Sequence, residues 1–402
     1  MYHMLQHLFK LIWNKKKQNF LLIAEMFISF LVTFAVFTLI IYYYNNYKQP
    51  TGFDYKNVWV VNFTPPANIN SVDSVTLFHE TLTNMIKSMP QVEEVSFTSG
   101  NVPFSMSSNS SDISYGNHRH VRTNVYQAGI TYKKALNFKM LEGRWFTEAD
   151  NVDGKFIPLV INEKTKEELF GNENAIGKII GEEQMGDQPA RDRYRVIGVS
   201  DNLKDKGDYQ PVERGMYMKM DTGSMRWTGN MLLKVRPSAD AAFESKLFTS
   251  LSNAIGTSIE IEHLDKKLVV KNRIMLVPMI IGLIVAGFLI INVALGLFGV
   301  LWYNINKRRG EIGLRRAVGA TGSSVSKQLV SEALILSTLS LILGLFFAVQ
   351  FPIMNVFDLP ASVYIIAILF AIAFIYVLAI ICALYPGKQA ASIYPAVALH
   401  EE

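Results

Sequence analysis

Residues 307–321, KRRGEIGLRRAVGAT, place five arginine and lysine residues between two long apolar runs. Charged side chains of this number cannot be accommodated inside a bilayer core. We therefore expect the stretch to face an aqueous compartment and to offer a surface to a partner.

Four apolar runs account for the high hydrophobic content of the chain, in which 50% of the 402 residues are hydrophobic and 18% are charged. Each run reaches the roughly 20 residues that a helix needs to cross a bilayer core. We therefore predict an α-helical membrane protein with a large α+β domain at 45–273, between the first and second spans. The four predicted transmembrane helices are 20–44, 274–303, 329–349 and 361–385.

Basic residues lie beside the predicted spans. The insert 45–273 has 28 basic and 28 acidic residues, whereas the rest of the chain has eleven basic and six acidic ones. All eleven fall in three short segments, 1–19, 304–328 and 386–402, which the positive-inside rule places in the cytoplasm. The insert and the loop 350–360 are then extracytoplasmic. The sequence pI near 9.0 is explained by these basic residues, which lie beside the membrane and its anionic lipids. No recognition motif accompanies the charge, so nucleic acid is not expected as a partner.

Both ends of the insert have the pattern of a strand, a helix and a second strand. At the start these are 57–63, 71–89 and 91–97, and at the end 231–236, 238–254 and 258–264. The two helices are predicted because apolar residues recur at steps of three and four within them. An inserted lobe is predicted at about 125–199, including a helix from Glu163 to Phe170 that ends at Gly171. The Ser/Asn-rich stretch 105–117 is predicted to be a mobile outer loop.

Near-matches to catalytic motifs each lack a required residue. Residues 79–83, HETLT, begin like the zinc-protease helix, but Thr83 stands where the second histidine ligand is needed. His118 and His120 have no third ligand at a suitable spacing. Residues 324–327 match S-x-x-K without the companion motifs, and 171–179 lack the Ser/Thr of a phosphate loop. An external enzyme on a membrane anchor is therefore the weakest hypothesis, and we predict a non-catalytic chain without metal or cofactor.

Two acidic residues fall within or beside the apolar runs, Glu25 and Glu332. An ionisable group in a membrane span can mark an ion pathway. Both lie near the predicted cytoplasmic ends, however, so we favour an interfacial position or pairing with the basic loop.

The loop between the second and third spans resembles the signature of the FtsX-like permease family, R-x-x-E-I-G-[IL]-R-[RK]-A-[LV]-G-A-[TS]. The matching residues begin at Arg308, resume at Glu311 and run to Thr321. The tail YPGKQAASIYPAVALHEE (385–402) is similar to the family's C-terminal pattern, with His400 in place of the usual arginine. Residues 136–150, 158–180 and 194–205 resemble the periplasmic core domain of MacB-type permeases.

This resemblance implies a permease subunit of an ABC complex in the bacterial inner membrane, with two permeases, identical or paralogous, bound to two ATPase subunits. It also implies a porter-like external domain that carries an inserted lobe. Because the chain starts almost at the first span, we expect ATP and Mg²⁺ to be bound by a separate ATPase chain. A periplasmic adaptor or an outer-membrane channel would be a further partner.

The segment 304–328 is then predicted to contain a helix that couples the ATPase to the spans. Glu311 and Arg315, four residues apart, can pair on one face, and Leu314 and Val318 can face a neighbour. From the residues alone, an amphipathic helix held on lipid headgroups is an equal interpretation. The predicted coupling residues are Arg308, Arg309, Glu311, Ile312, Leu314, Arg315, Arg316, Val318 and Thr321.

The function predicted on this basis is mechanotransmission: ATP hydrolysis by the partner moves the external domains, which export or extract a substrate. The alternative is FtsX-like signalling, in which the same motion activates an external partner such as a cell-wall hydrolase.

Overall fold

The structure of the chain is a computed structural model that describes residues 16–116, 119–150, 155–182 and 191–392. The predicted terminal segments therefore lie outside the described residues at 1–15 and 393–402, as does His118. The chain divides into two units. The helical unit comprises Met1–Asn45 and Leu276–Glu402, and the β-rich unit comprises Asn46–Met275.

Eleven α-helices occur among the described residues. In chain order they are α1 (Lys16–Tyr47), α2 (Val72–Lys87), α3 (Tyr132–Leu136), α4 (Glu163–Phe170), α5 (Thr222–Met225), α6 (Ala241–Ile255), α7 (Leu264–Lys307), α8 (Arg309–Ala317), α9 (Gly322–Ala348), α10 (Gln350–Ile353) and α11 (Ala361–Ala391).

Eleven strands are described, all in the β-rich unit. They are β1 (Val58–Phe63), β2 (Val92–Gly100), β3 (Ser110–Tyr115), β4 (Arg119–Ala128), β5 (Met140–Gly143), β6 (Ile157–Asn162), β7 (Ile179–Glu182), β8 (Arg191–Ser200), β9 (Gly215–Lys219), β10 (Asn230–Val235) and β11 (Ile259–His263).

Four of the described helices are long and apolar enough to cross a membrane: α1, α7, α9 and α11. Helices α1, α7 and α11 contain the predicted spans 20–44, 274–303 and 361–385 and extend beyond them, whereas α9 begins before the predicted span 329–349 and ends at Ala348. Helix α7 begins at Leu264, before the predicted limit at residue 274, because its polar first turns are part of the β-rich unit, in whose core Leu264 and Leu268 are buried.

The helical unit is held together by side chains from α1, α7, α9 and α11. Met26 and Phe30 of α1 are fully buried in one apolar cluster with Leu297 of α7, Leu336 of α9 and Ala371 of α11. Phe30 lies directly against Gly344, where a Cβ atom would come within 2.3 Å of its ring. A glycine at this point therefore permits the close approach of α1 and α9.

The β-rich unit is built on a split β-α-β core. Its strands follow the order β11-β1-β10-β2, and all three pairings are antiparallel. Helices α2 and α6 lie on one face, where their apolar stripes meet the strands. Ser71 and Asp240 cap the two helices by accepting hydrogen bonds from backbone N–H groups. This is the βαββαβ order of ferredoxin-like folds, with a long insertion between β2 and β10.

The insertion forms the lobe, whose strands continue the same sheet in the order β4-β3-β7-β8-β6-β9. Its strands run from Ser110 to Lys219, so the lobe is larger than the predicted 125–199. Helix α4 occupies Glu163–Phe170 as predicted. It is capped by Asn162, whose side chain accepts from the Thr165 N–H, and it ends at Gly171 with φ of +59°.

The prediction of a mobile loop at 105–117 is wrong for its second half, which is strand β3. Only Ile113 and Ser114 are buried, so the strand lacks the alternating apolar pattern by which strands are recognised. The segment is fixed by polar contacts instead. The Asn101 side chain accepts from the Asn109 N–H at 2.7 Å and donates to the Asn109 carbonyl at 2.6 Å, and β3 pairs with β4 along its whole length.

Candidate functional site: the segment between α7 and α9

The segment 307–321 contains one short helix, α8, which lies between the two long helices α7 and α9. Helix α7 ends at Lys307, and Arg308 stands at the N-terminus of α8. The helix ends because Gly319 adopts φ of +105°, which favours glycine, and the Ala320 N–H then donates to the Arg315 carbonyl at 3.0 Å. Thr321 caps α9 by accepting from the Ser324 N–H at 3.3 Å.

One face of α8 is packed into the helical unit. Ile312 and Gly313 are the buried residues of the helix. Ile312 belongs to the apolar cluster that also includes Ile305 of α7 and Val325 and Leu329 of α9. The helix is therefore anchored to the helices before and after it through a single aliphatic side chain.

The charged residues of α8 form a chain of ion pairs. Glu311 accepts from Arg308 Nε at 3.0 Å and from Arg315 Nη2 at 2.5 Å, the second being the predicted i,i+4 pair. Arg315 also donates through Nη1 to Gln328 Oε1 at 3.1 Å. The side chains of Glu311 and Arg315 are 44% and 45% exposed, so their contact contributes only about 0.5 kcal/mol to stability, whereas the Arg308 side chain is only 16% exposed.

The inner end of this chain is Glu332 of α9. Its Oε1 accepts from Arg308 Nη1 at 3.1 Å and from Gln328 Nε2 at 3.3 Å. Burial disfavours the charged form of Arg308, but the bonds to Glu311 and Glu332 outweigh it, so the pKa of Arg308 is raised. The favoured interpretation of Glu332, pairing with the basic loop, is thus confirmed. Glu25 instead lies against Gly296 of α7, where a Cβ atom would come within 2.9 Å of its Oε2.

Two aliphatic side chains are exposed beside the charged ones, one on α8 and one directly after its end. Leu314 is 55% exposed and Val318 is 83% exposed. On the other flank, Arg316 donates through Nη1 to the carbonyl of Ala391 at the end of α11. The segment therefore contacts α9 and the end of α11 through its charged side chains, and it leaves Leu314 and Val318 exposed.

The structure assigns different positions to the predicted coupling residues. It brings Arg308, Glu311 and Arg315 together, whereas Ile312 is buried and Thr321 caps the next helix. Arg309 belongs to α8 and has an interaction partner. Gln328 was missed by the sequence reading, although its spacing of four residues from Glu332 is a signal for pairing on one helix face.

His79 and Thr83, from the incomplete zinc-protease motif, make structural contacts in α2. His79 is buried in α2, with Nδ1 2.8 Å from the Val75 carbonyl and its ring 4.5 Å from Phe97. Thr83 donates to the His79 carbonyl. Among the residues that the structure describes, no three His, Cys, Asp or Glu side chains are grouped so as to hold a metal ion.

Comparison with known families gives two matches that together cover most of the chain. Residues 21–248 match the MacB-like periplasmic core domain, and residues 283–395 match the FtsX-like permease C-terminal domain. The chain belongs to the MacB-type, FtsX-like permease family. The second match contains the whole of α8, so the resemblance seen in residues 308–321 is confirmed. A MacB-type permease is a membrane protein with a large extracytoplasmic domain, to which the β-rich unit corresponds.

Individual relatives share limited sequence identity with this chain and are longer than it is. The chain is 30% identical over 315 residues to macrolide export ATP-binding/permease protein MacB 2 of Yersinia pestis bv. Antiqua, covering 73% of this chain and 44% of that protein. It is 24% identical over 238 residues to MacB of Aggregatibacter actinomycetemcomitans, covering 57% of this chain and 35% of that protein. The chain therefore spans about a third to a half of the length of these relatives.

Among solved structures, the periplasmic region of MacB from Actinobacillus actinomycetemcomitans is similar to this chain. The match has a TM-score of 0.37 and 19% sequence identity, and it covers 57% of this chain and 97% of that one.

Proposed function

We propose that this chain is the permease subunit of an ATP-driven ABC complex, and that it couples ATP hydrolysis by a separate ATPase chain to motion of its extracytoplasmic domain. The family matches at 21–248 and 283–395 support a permease. The relatives named above are ATP-binding/permease proteins, which supports an ATPase as the partner. ATP and Mg²⁺ would be held by that partner.

The observation that carries the proposal is the two-sided character of α8. Its inward face is fixed to α7 and α9 by Ile312 and by the Arg308–Glu332 pair, while Leu314 and Val318 are exposed. An exposed aliphatic pair next to charged side chains is typical of a protein-binding surface. A displacement of α8 by a bound partner would therefore move the second and third predicted spans.

The proposed cycle places α8 and both termini in the cytoplasm. Two permeases, identical or paralogous, would be drawn together when the ATPase subunits close, and their extracytoplasmic domains would export or extract a substrate. A periplasmic adaptor or an outer-membrane channel would receive it. The match to the MacB-like core domain favours such transport over activation of a cell-wall hydrolase.

The proposal is tested with the variant Leu314→Glu/Val318→Glu. The complex is isolated from its native cells through the permease, and the amount of bound ATPase is measured. We expect retention of the ATPase to fall about tenfold or more, since charge in the centre of an apolar contact abolishes binding. The matched control is Val72→Glu/Leu77→Glu, which changes two similarly exposed residues on α2.

Normal ATPase retention by the α8 variant would overturn the docking assignment. If the variant loses the ATPase but the measurable defect is in envelope hydrolysis, with no transported substrate, the signalling function is correct and transport is not.

A further inference from the structure

The segment 202–210, NLKDKGDYQ, follows strand β8 and has no helix or strand of its own. It lies within the β-rich unit, where it contacts the last turn of α1, the first turns of α7 and the lobe. We call it the junction segment. Its first four residues belong to the stretch 194–205, which resembles the MacB-type core domain. The proposed docking of an ATPase on α8 gives the junction segment no role.

The contacts with the end of α1 are made by Lys204 and Tyr209. The Lys204 Nζ donates to the carbonyl of Asn46, and its backbone N–H donates to the Thr51 carbonyl at 2.9 Å. In return, Asn46 Nδ2 donates to the Tyr209 carbonyl at 3.1 Å. The rings of Tyr47 and Tyr209 stack at 5.9 Å.

The contacts with α7 centre on Asn272. Its Oδ1 accepts from the Asp208 N–H at 3.0 Å, and its Nδ2 donates to Asp208 Oδ2 at 2.6 Å. Gly207 adopts φ of +104°, and a Cβ atom there would lie 3.0 Å from Asn272 Oδ1. Glycine therefore allows the segment to follow the helix closely. One turn further along α7, Gln210 Nε2 lies 3.1 Å from Met275 Sδ.

The contact with the lobe is made by Asp205. Its Oδ2 accepts from the hydroxyl of Tyr126 on β4 at 2.6 Å and lies 3.7 Å from Lys206 Nζ. Its carbonyl accepts from the Phe104 N–H at 2.7 Å. Beside it, Lys271 of α7 donates to the Ser105 carbonyl at 2.9 Å. The junction segment, residues 202–210, thus contacts the end of α1, the start of α7 and the lobe.

Charge burial distinguishes this junction from an ordinary surface loop. Lys204 is 1% exposed, Asp205 3% and Lys271 7%. Burial lowers the pKa of both lysines and raises the pKa of Asp205. Lysine and aspartate are almost never fully buried unless they are paired, because desolvation of each charge costs several kcal/mol. The burial is sustained by the carbonyl and hydroxyl partners, so the three parts are held in one fixed arrangement.

We propose that the junction segment is the link through which movement of α1 and α7 reaches the lobe, with Lys204 and Asn272 as its positioning residues. Helices α1 and α7 each run without interruption from a predicted span into the β-rich unit. A displacement of either helix end would therefore act on residues 202–210, and through Asp205 on β4. The inference rests on the proposed function, because nucleotide-driven motion must exist for the link to transmit it.

The test is hydrogen–deuterium exchange of the full-length permease isolated with its ATPase in lipid nanodiscs, with and without ATP and vanadate. The variant is Lys204→Met/Asn272→Ala, which removes the side-chain contacts of the junction with both helices. The matched control is Lys266→Met/Asn253→Ala, which makes the same two changes at exposed positions on α7 and α6. Exchange is compared in α8 and in β6 and β8 of the lobe.

In the wild-type complex and the control, nucleotide should change exchange in α8 and in the lobe strands. In the junction variant we expect the α8 change to persist and the lobe change to fall by at least half. A lobe response of wild-type size in the variant would overturn the inference. No response anywhere in the wild-type complex would instead overturn the proposed function. If the double variant does not fold, Asn272→Ala alone is used, and the same two outcomes decide.

Discussion

Arg308 and Glu332 are joined across the turn between α7 and α9, with Nη1 and Oε1 3.1 Å apart and side-chain exposures of only 16% and 12%. The pair connects the first residue of the proposed coupling element to a helix that is long and apolar enough to span a membrane. A shielded pair of this kind is stronger than the exposed contacts of Glu311, and it makes α8 a part of the helical unit.

Neutralising Glu332 should therefore destabilise the helical unit more than neutralising Glu311. Glu332→Gln removes the charge opposite a largely buried guanidinium and should cost about 1–3 kcal/mol. Glu311→Gln acts at a side chain that is 44% exposed and should cost less than about 1 kcal/mol. Thermal unfolding of the purified full-length permease in detergent measures both. Equal losses of stability in the two variants would show that the burial of the Arg308–Glu332 pair does not strengthen it.

Ile312 should behave as an anchor and Leu314 as a surface residue. Ile312→Ala leaves a cavity beside Val325 and Leu329 and should lower stability by about 2–3 kcal/mol. Leu314→Ala should leave stability within about 0.5 kcal/mol, because the side chain is exposed. The same unfolding assay distinguishes them. A stable Ile312→Ala variant would contradict the orientation of α8.

Gly344 should be intolerant of any side chain. Its missing Cβ would lie 2.3 Å from the ring of Phe30, so Gly344→Ala must displace α1 and should cost about 1–3 kcal/mol. The control is Gly287→Ala in α7, where a Cβ would meet no atom of the described part of the chain within 4 Å. That change should be neutral or stabilising by up to about 1 kcal/mol, because alanine favours helix. Similar effects of the two substitutions would argue against the α1–α9 contact.

His79 should make the stability of the β-rich unit depend on pH. Burial lowers its pKa below the ordinary 6.5, and its Nε2 has no hydrogen-bond partner among the residues that the structure describes. Between pH 6.5 and the lower folded pKa, the unfolded chain binds the proton more tightly. The contribution of neutral His79 is therefore complete above pH 6.5 and is lost as the pH falls through the folded pKa.

The expected result is a lower melting temperature at pH 5 than at pH 7 for the wild-type chain, with a smaller difference for His79→Gln. Tryptophan fluorescence follows the transition through the buried Trp59 and Trp145 of this unit. An unchanged pH dependence in His79→Gln would assign the effect to other groups.

Apolar periodicity was sufficient to place the long helices, helices α2, α4 and α6, and the strands of the split β-α-β core. It failed where polar contacts fix the backbone. Strand β3 is held by backbone pairing and by the Asn101 side chain, and the helical start of α7 is polar because it packs on protein. In the candidate site, the i,i+4 rule predicted Glu311–Arg315. The role of Gln328 and the burial of Ile312 depend on how α8 packs against α9, which spacing within α8 alone does not determine.

The proposed function requires that the exposed side of α8 contacts an ATPase. The most direct measurement places a photo-reactive amino acid at Val318, which is 83% exposed, and identifies what it captures in native membranes. The same probe at Leu343, an exposed residue within the apolar part of α9, serves as the control for contact with lipid. We expect a cross-link from position 318 to a chain that binds ATP, and none from position 343. Capture of lipid alone at position 318 would contradict it and would show that α8 lies on the membrane surface.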